Sequence, residues 1–443
     1  MYSKFGRFYT ISDNITNYFL SSYQFLMQIH LKTLGCRLNE AELETWAQAF
    51  QTKGHSITQK MTAAQLVVIN SCAVTQDAAR KSRQLIRRIH RENPQAKLVV
   101  SGCYATLNQS EAQSLLGVDL VVSNKDKALL VEKALTELTF ETMPEMATEP
   151  AEIALFTRGR QRAFVKVQDG CRYRCTFCIV TVARGEEVSR TISDVISEIN
   201  ALHAQGINEV ILTGVHLGGY GSDNNENIVS LIQAILTQTE IPRLRLGSLE
   251  PWELNDEFFT LFENSRLMPH LHLPLQSGSD AVLRRMARRC KTEEYAKMIE
   301  RLRAQIPLFN ITTDIIVGFP NETEEEWNES VEFIKKCDFG HIHIFTYSPR
   351  EGTKAATLPN PVSHEIKKQR SEQLHVLAEE MKQHFYQKNV GQTFSVLWEG
   401  QRDELENGKI CVFGYTPNYL RVACELNVDE SLENQITDFK INH

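Results

Sequence analysis

From Met27 to about Leu138, short apolar β-rich runs alternate with stretches whose apolar residues recur at helical spacing. QIHLKTL precedes a helical segment from Asn39 to Gln51, and LVVIN, Leu66 to Asn70, precedes one from Val74 to Glu92. KLVVS, Lys97 to Ser101, and DLVVS, Asp119 to Ser123, each precede a further helical segment. Strands alternating with helices in this way predict an α/β unit, a doubly wound parallel sheet over residues 27–138. Residues 139–160 carry two prolines and little periodicity, and read as a linker.

A second β/α series runs from Arg162 to Tyr347, with strand candidates AFVKVQ, EVILTG, RLRLGS, HLHLPLQ, ITTDIIVGF and HIHIFTY. Six such units predict a partial (β/α)6 barrel within residues 161–388 rather than a closed eight-fold one. A long charged helix is predicted from Ser363, its N-cap, to Asn389. The remainder, residues 389–443, holds the short strands FSVLWEG, KICVFGY and NYLRVACEL, which suit a small β-barrel. Residues 1–26 are aromatic-rich without a period. They read as a disordered or upstream leader, the alternative being a packed extension.

A chain of 443 residues exceeds one hydrophobic core, in keeping with several domains. The net charge of −7 does not advertise a nucleic-acid binder, so any RNA contact must come from local basic patches. Ten cysteines in a chain this long are not a disulfide framework. No run reads as a signal peptide or a transmembrane segment. Both points lead to a cytoplasmic protein with no membrane partner, in which thiols are free to bind metal.

The strongest chemical signal is Cys171-Arg-Tyr-Arg-Cys175-Thr-Phe-Cys178, directly after a predicted strand. Three thiolates from one loop can fill three corners of a 4Fe–4S cube and leave one iron open for a small chelating ligand. A zinc site is the alternative, but a structural zinc wants a fourth ligand. A second signal depends on the strands. Cys36, Cys72 and Cys103 each lie just past the C-terminal end of a predicted parallel strand, after Gly35, Ser71 and Gly102. In an open α/β sheet those ends share one edge, so the three thiols can meet. Core filling is the alternative for each taken singly. Cys290, Cys337, Cys411 and Cys424 fit no ligand pattern and are expected to pack as small hydrophobes.

The three–two cysteine spacing, with Phe177 before the last thiol, resembles the radical S-adenosylmethionine (SAM) superfamily. LKTLGCRLNEAE, VINSCAVTQDAARKSR and SGCYA look like the N-terminal domain of its methylthiotransferase family. KVQDGCRYRCTFCIVTVARG, LTGVHLGGYG, LPLQSGSD and DIIVGFPNETEEEW look like the catalytic domain of that family, and the tail resembles its TRAM module. The resemblance implies two 4Fe–4S clusters. One, on Cys171, Cys175 and Cys178, chelates SAM and cleaves it reductively to a 5′-deoxyadenosyl radical. The other, auxiliary cluster, on Cys36, Cys72 and Cys103, carries the sulfur to be donated. Thr213, Gly214, Ser248, Glu250, Gln276 and Gly318, at strand C-terminal ends, are the candidate SAM contacts. Two departures touch loop geometry but no ligand: Thr181 stands where the family has proline, and Arg174 where it has an aromatic.

Within the family, LKTLGCRLN, LTGVHLGGYG, LGSLEP and FTYSPREGTKAA fit the branch acting on threonylcarbamoyladenosine at tRNA position 37, ahead of the isopentenyladenosine branch. The carboxylate of that substrate would want an arginine, for which Arg184, Arg245 and Arg350 lie near strand ends. The implied partners are the tRNA anticodon loop and an electron donor, with the chain acting as a monomer. Arg80, Lys81, Arg83, Arg87, Arg88 and Arg91 crowd one helix, and Arg284, Arg285, Arg288, Arg289 and Lys291 form a second basic run. The tail from Gly391 carries four Lys and Arg against nine Asp and Glu, so an RNA contact there would have to be local and aromatic, through Phe413, Tyr415 and Tyr419. A non-catalytic iron–sulfur RNA-binding module and a zinc-stabilised RNA-binding protein are the readings from other classes.

Overall fold

The structure is a computed structural model that describes residues 26–140 and 161–442. Most of the expected leader and of the linker therefore lies outside the described residues.

Five parallel strands form the N-terminal sheet: β1 (Gln28–Thr33), β2 (Ser56–Ile57), β3 (Leu66–Ser71), β4 (Lys97–Gly102) and β5 (Leu120–Val122), in the order β2-β1-β3-β4-β5. Every residue of β3 is buried, as befits a central strand covered by helices on both faces. The strand order reverses between β1 and β3, the place where such sheets open a crevice at their carboxyl edge. Cys36 follows β1, Cys72 follows β3 and Cys103 follows β4, so three neighbouring strands deliver three thiols to that edge. Gly102 has a φ of +98°, and a Cβ there would sit 2.2 Å from the Ser71 carbonyl oxygen, so only glycine allows the turn into Cys103. The helix Gln76–Glu92 starts on Thr75, whose hydroxyl accepts the Ala78 N–H at 3.0 Å. It buries Ala79, Ser82, Ile86 and Ile89 and leaves its arginines on the outer face.

The central unit begins with β6 (Arg162–Lys166) and a short hairpin, β7 (Gln168–Asp169) against β8 (Val188–Ser189), which brackets the Cys171–Cys178 loop. Next come β9 (Glu209–Thr213), β10 (Arg243–Leu246), β11 (His270–His272), β12 (Asn310–Val317) and β13 (His341–Thr346). All are parallel, in two three-stranded sheets, β10-β9-β6 and β11-β12-β13, joined by bridges at Leu244–Leu267 and Ser248–His272. This is the expected six-unit open barrel. The helix His364–Asn389 follows, with Ser363 as its N-cap as predicted.

The tail forms a curled four-stranded antiparallel half-barrel of β14 (Thr393–Glu404), β15 (Ile410–Tyr415), β16 (Arg421–Leu426) and β17 (Ile436–Lys440), in the order β16-β15-β14-β17. The reading of the sequence found the first three strands and missed β17. The half-barrel docks under the starts of the barrel strands. Asn310 Nδ2 donates to the Asn418 carbonyl at 2.8 Å, Arg243 to that of Tyr415 at 3.0 Å and Arg245 to that of Pro417 at 3.1 Å. Tyr415 and Tyr419 stack on each other at 4.9 Å and line the cavity between barrel and tail, so they do not form the outward aromatic patch expected.

A buried carboxylate is a central tie between the N-terminal sheet and the barrel. Glu42, 5% exposed, accepts from Lys127 at 2.5 Å, Lys166 at 3.0 Å, Arg184 at 3.0 Å and Asn70 at 2.8 Å. Arg184, 2% exposed, also donates to Asp169 at 3.0 Å and to Asn39 at 2.9 Å. Burial pushes the Glu42 carboxyl up, but Lys127, Arg184 and Lys166 outweigh it and hold the group well below 4.5. Glu42→Gln is therefore predicted to cost about 3–5 kcal/mol, because buried cations lose their partner; urea unfolding measures it. The contribution is whole above the pKa of the unfolded carboxyl, near ~4.3, and is lost as pH falls through the lower folded value. The gap between wild type and variant should accordingly close only in acid.

Candidate active site

The Cys171–Cys178 loop is held from several sides. Gln168 Nε2 donates to the Asp169 and Gly170 carbonyls, both at 2.8 Å, while its Oε1 accepts the His216 N–H at 2.8 Å. The Tyr173 hydroxyl donates to Glu253 at 2.6 Å and accepts from the Trp252 indole at 3.0 Å. The His216 imidazole lies between two carboxylates, Glu187 at 2.5 Å and Glu253 at 2.6 Å. Burial works against its protonation, but those two partners raise its pKa above the ordinary value. Arg172 ties the same pair of carboxylates, at 3.0 and 2.9 Å. The two departures from the family pattern are absorbed here: Tyr173 supplies the aromatic anchor, and the Thr181 hydroxyl donates to the Tyr173 carbonyl at 2.9 Å.

Below the loop, Arg288 approaches Cys175 Sγ at 3.9 Å while it grips Glu250 at 3.1 and 2.6 Å. Glu250 is thus already engaged by an arginine. In the free chain burial raises the thiols, Cys171 to about 12 and Cys178 to about 11, with neighbouring thiols adding to the effect. Three crowded, half-buried thiols beside an arginine are poised for a metal centre that takes them as thiolates.

The N-terminal thiols form the matching group. Cys72 is buried and raised to about 11, first by burial and further by Cys103 and Cys36 close by. Ser82 clamps its backbone: it accepts the Cys72 N–H at 3.1 Å and donates to the Cys72 carbonyl at 2.9 Å. A Cβ on Gly35 would lie 2.7 Å from Cys72 Sγ, so glycine leaves the room for that thiol. Asn124 points its amide at Cys103 Sγ, 3.9 Å away, and donates to the Ala183 carbonyl at 2.7 Å, which ties this edge to the catalytic loop. Arg350 lies near the Cys72 thiol.

Residues flanking the two groups share one cavity. A cavity of about 240 Å³ is walled by Val74 and Thr75, just past Cys72, and by the Phe177–Val180 stretch around Cys178, with Gln276, Asp314 and Tyr347. Gln276 takes a left-handed φ of +76° to reach it. Ser248 lines a larger cavity of about 540 Å³ between the barrel and the tail. Thr213 and Gly214 end β9 beside Gln168, and Gly318 packs on Lys367, where a Cβ would fall 2.4 Å from Cγ.

Other expectations change. Arg184 and Arg245 are taken by carboxylates, the latter by Glu209 at 3.0 and 3.1 Å. The second basic run is not one patch: Arg285 pairs with Glu326, Arg288 is buried on Glu250, and Arg289 lies over Tyr173. Cys290 and Cys337 are core residues, but Cys411 and Cys424 are only partly buried, on the thin half-barrel. Sequence reasoning missed Gln168, His216, Glu187 and Glu253. Gln168 and His216 stand inside quoted motifs and Glu187 and Glu253 just past them, but their pairing is made only by the fold.

Two family models match the chain: Radical SAM superfamily over residues 165–334, and Uncharacterized protein family UPF0004 over residues 28–123. The Threonylcarbamoyladenosine tRNA methylthiotransferase MtaB of Bacillus subtilis is 36% identical over 88% of this chain and 89% of its own length. That of Aquifex aeolicus is 36% identical over 84% and 92%. The tRNA-2-methylthio-N(6)-dimethylallyladenosine synthase of Bacillus velezensis is 31% identical over 88% and 79%. Among solved structures the radical SAM methyltransferase TsrM of Kitasatospora setae, at 15% identity, matches the fold with a TM-score of 0.56 over 75% of this chain and 77% of that one. Two cysteine groups at neighbouring edges, and likeness along nearly the whole length of such relatives, place this chain in the tRNA methylthiotransferase family of radical SAM enzymes.

Proposed function

We infer that this enzyme adds a methylthio group to C-2 of threonylcarbamoyladenosine at position 37 of tRNA. The observation that carries the reading is two cysteine groups from two domains at neighbouring edges, with one cavity lined by Cys178 and by Val74 and Thr75 just past Cys72. In this reading Cys171, Cys175 and Cys178 hold the 4Fe–4S cluster that binds SAM, and Cys36, Cys72 and Cys103 hold the auxiliary one. When bound, the clusters and SAM supply the one-electron chemistry, the sulfur and the methyl group that replace a non-acidic C–H bond.

The chain's own residues orient and shield. Gln168, Thr181 and Tyr173 fix the catalytic loop, and Arg288 sets positive charge beside Cys175. Arg350 does the same for Cys72. Thr213, Gly214, Ser248, Gln276 and Gly318 remain the candidate SAM contacts, while Glu250 acts through Arg288. The target base lies in a single-stranded loop and can be splayed into the cleft without melting a duplex. Arg83, Arg87 and Arg88 on the helix after Cys72 supply phosphate contacts, and the TRAM-like half-barrel closes the barrel from below.

Anaerobically reconstituted protein should hold about eight irons per chain, two cubes' worth. Replacing Cys171, Cys175 and Cys178 with Ala should remove about half of the iron and end reductive SAM cleavage. Replacing Cys36, Cys72 and Cys103 should remove the other half and spare SAM cleavage; about four irons in the wild type would sink the assignment. Charge reversal at Arg83, Arg87 and Arg88 should weaken tRNA binding and flatten its salt dependence, read by filter binding across a salt series. The substrate is tested by nucleoside mass spectrometry of tRNA from a deletion strain. The methylthio form of threonylcarbamoyladenosine should vanish; loss of the isopentenyl derivative instead would reassign the substrate and leave the chemistry.

A further inference from the structure

The cavity of about 540 Å³ between the barrel and the tail has an unusual wall. Four histidines and four Arg or Lys side chains line it, and no Asp or Glu does, in a chain whose net charge is −7. Its volume is that of a nucleoside-sized pocket. Some of the charge is already bound. Arg245 is committed to Glu209, and His272 is fixed by Asp314 at 3.2 Å and Thr312 at 2.9 Å. His343, on the lumen side of β13, has the rings of His272 and His341 at 5.4 and 4.7 Å and forms no hydrogen bond with another described residue. Arg37 lies over the Phe164 ring at 5.0 Å, and its ion pair among the described residues is the exposed helical contact with Glu40 at 3.3 Å. Burial, then His272 and Arg37, push the His343 imidazole below its ordinary value, and the Asp314 carboxylate opposes them.

We propose that this cavity is the binding site for the carboxylate-bearing arm on N6 of the target adenosine, with Arg37 and His343 selecting the carboxylate. The proposal rests on the substrate reading above. Adenine carries C-2 and N6 on opposite sides of one ring edge, so a base that presents C-2 to the cysteines directs its N6 substituent away from them. Arg37 directly follows Cys36 and lines this cavity, so a base beside that thiol has the cavity within reach of its N6 arm. A carboxylate drawn out of water needs charged hydrogen-bond donors, and guanidinium is the best match to its geometry. Arg37 and His343 are exposed on the open side of this cavity, within reach of an entering base.

The test uses the reconstituted full-length enzyme and two synthetic anticodon stem-loops. One carries threonylcarbamoyladenosine, the other the same group with the carboxylate replaced by a neutral carboxamide. Wild type should prefer the carboxylate in kcat/KM by about 10- to 100-fold, the range of one charged hydrogen bond or somewhat more. Arg37→Gln and His343→Gln, made separately, should each bring that ratio toward one, chiefly through KM for the carboxylate loop. Arg37→Lys should keep part of it, and iron content reports that each variant is folded. A preference that survives in both Gln variants overturns the proposal while the substrate reading stands. Equal weakening of both loops with a flatter salt dependence overturns it in favour of a phosphate contact. A wild type that acts on neither loop overturns both readings.

Discussion

The contact between Glu42 and Arg184 is the constraint on which the rest depends. Arg184 ends the short helix that follows Cys178, and Glu42 lies one and a half turns into the helix that follows Cys36. Each residue is therefore a few positions from a thiol of its own group, and their pairing fixes the spacing of the two groups. Buried charges are costly in general, and a pair alone often fails to offset its desolvation. Here Glu42 meets Lys127, Lys166, Arg184 and Asn70 together, and Arg184 has Asp169 and Asn39 besides.

A second principle runs through both cysteine groups. Burial raises Cys72, Cys171 and Cys178 well above an ordinary thiol, and crowding raises them further. Without metal these loops would carry neutral thiols. Stored opposition of this kind is released by a cation that lets the thiols ionise, so metal loading and the order of the two loops are coupled. Arg288 beside Cys175 and Arg350 beside Cys72 lighten the charge from outside the ligand set.

Much of this was legible in the sequence because it depends on local pattern. The apolar run of β3 and the helix capped by Thr75 follow from residues within a few positions, and so do the six barrel strands. The placement of Cys36, Cys72 and Cys103 at one edge needed only the rule that parallel strands end together. What escaped depends on pairs far apart in the chain. His216 between Glu187 and Glu253 joins three segments, and Glu42 joins four, so no window of sequence contains either. β17, a five-residue edge strand with polar neighbours, carries too weak an alternation to stand out. Arg184, Arg245 and Arg350 were sound guesses for a substrate carboxylate by position, but Arg184 and Arg245 have acidic partners from elsewhere in the fold, whereas Arg350 forms no ion pair among the described residues.

The central claim is that two iron–sulfur clusters occupy one chain and face each other across one cleft. Electron paramagnetic resonance of the reduced, reconstituted protein tests it most directly. Two paramagnetic clusters held by facing loops should give two spins per chain, with relaxation and line shape altered by mutual coupling. The coupling should disappear when either cysteine group is removed. A wild-type spectrum that is the plain sum of two isolated centres, or that integrates to one spin, would contradict the account.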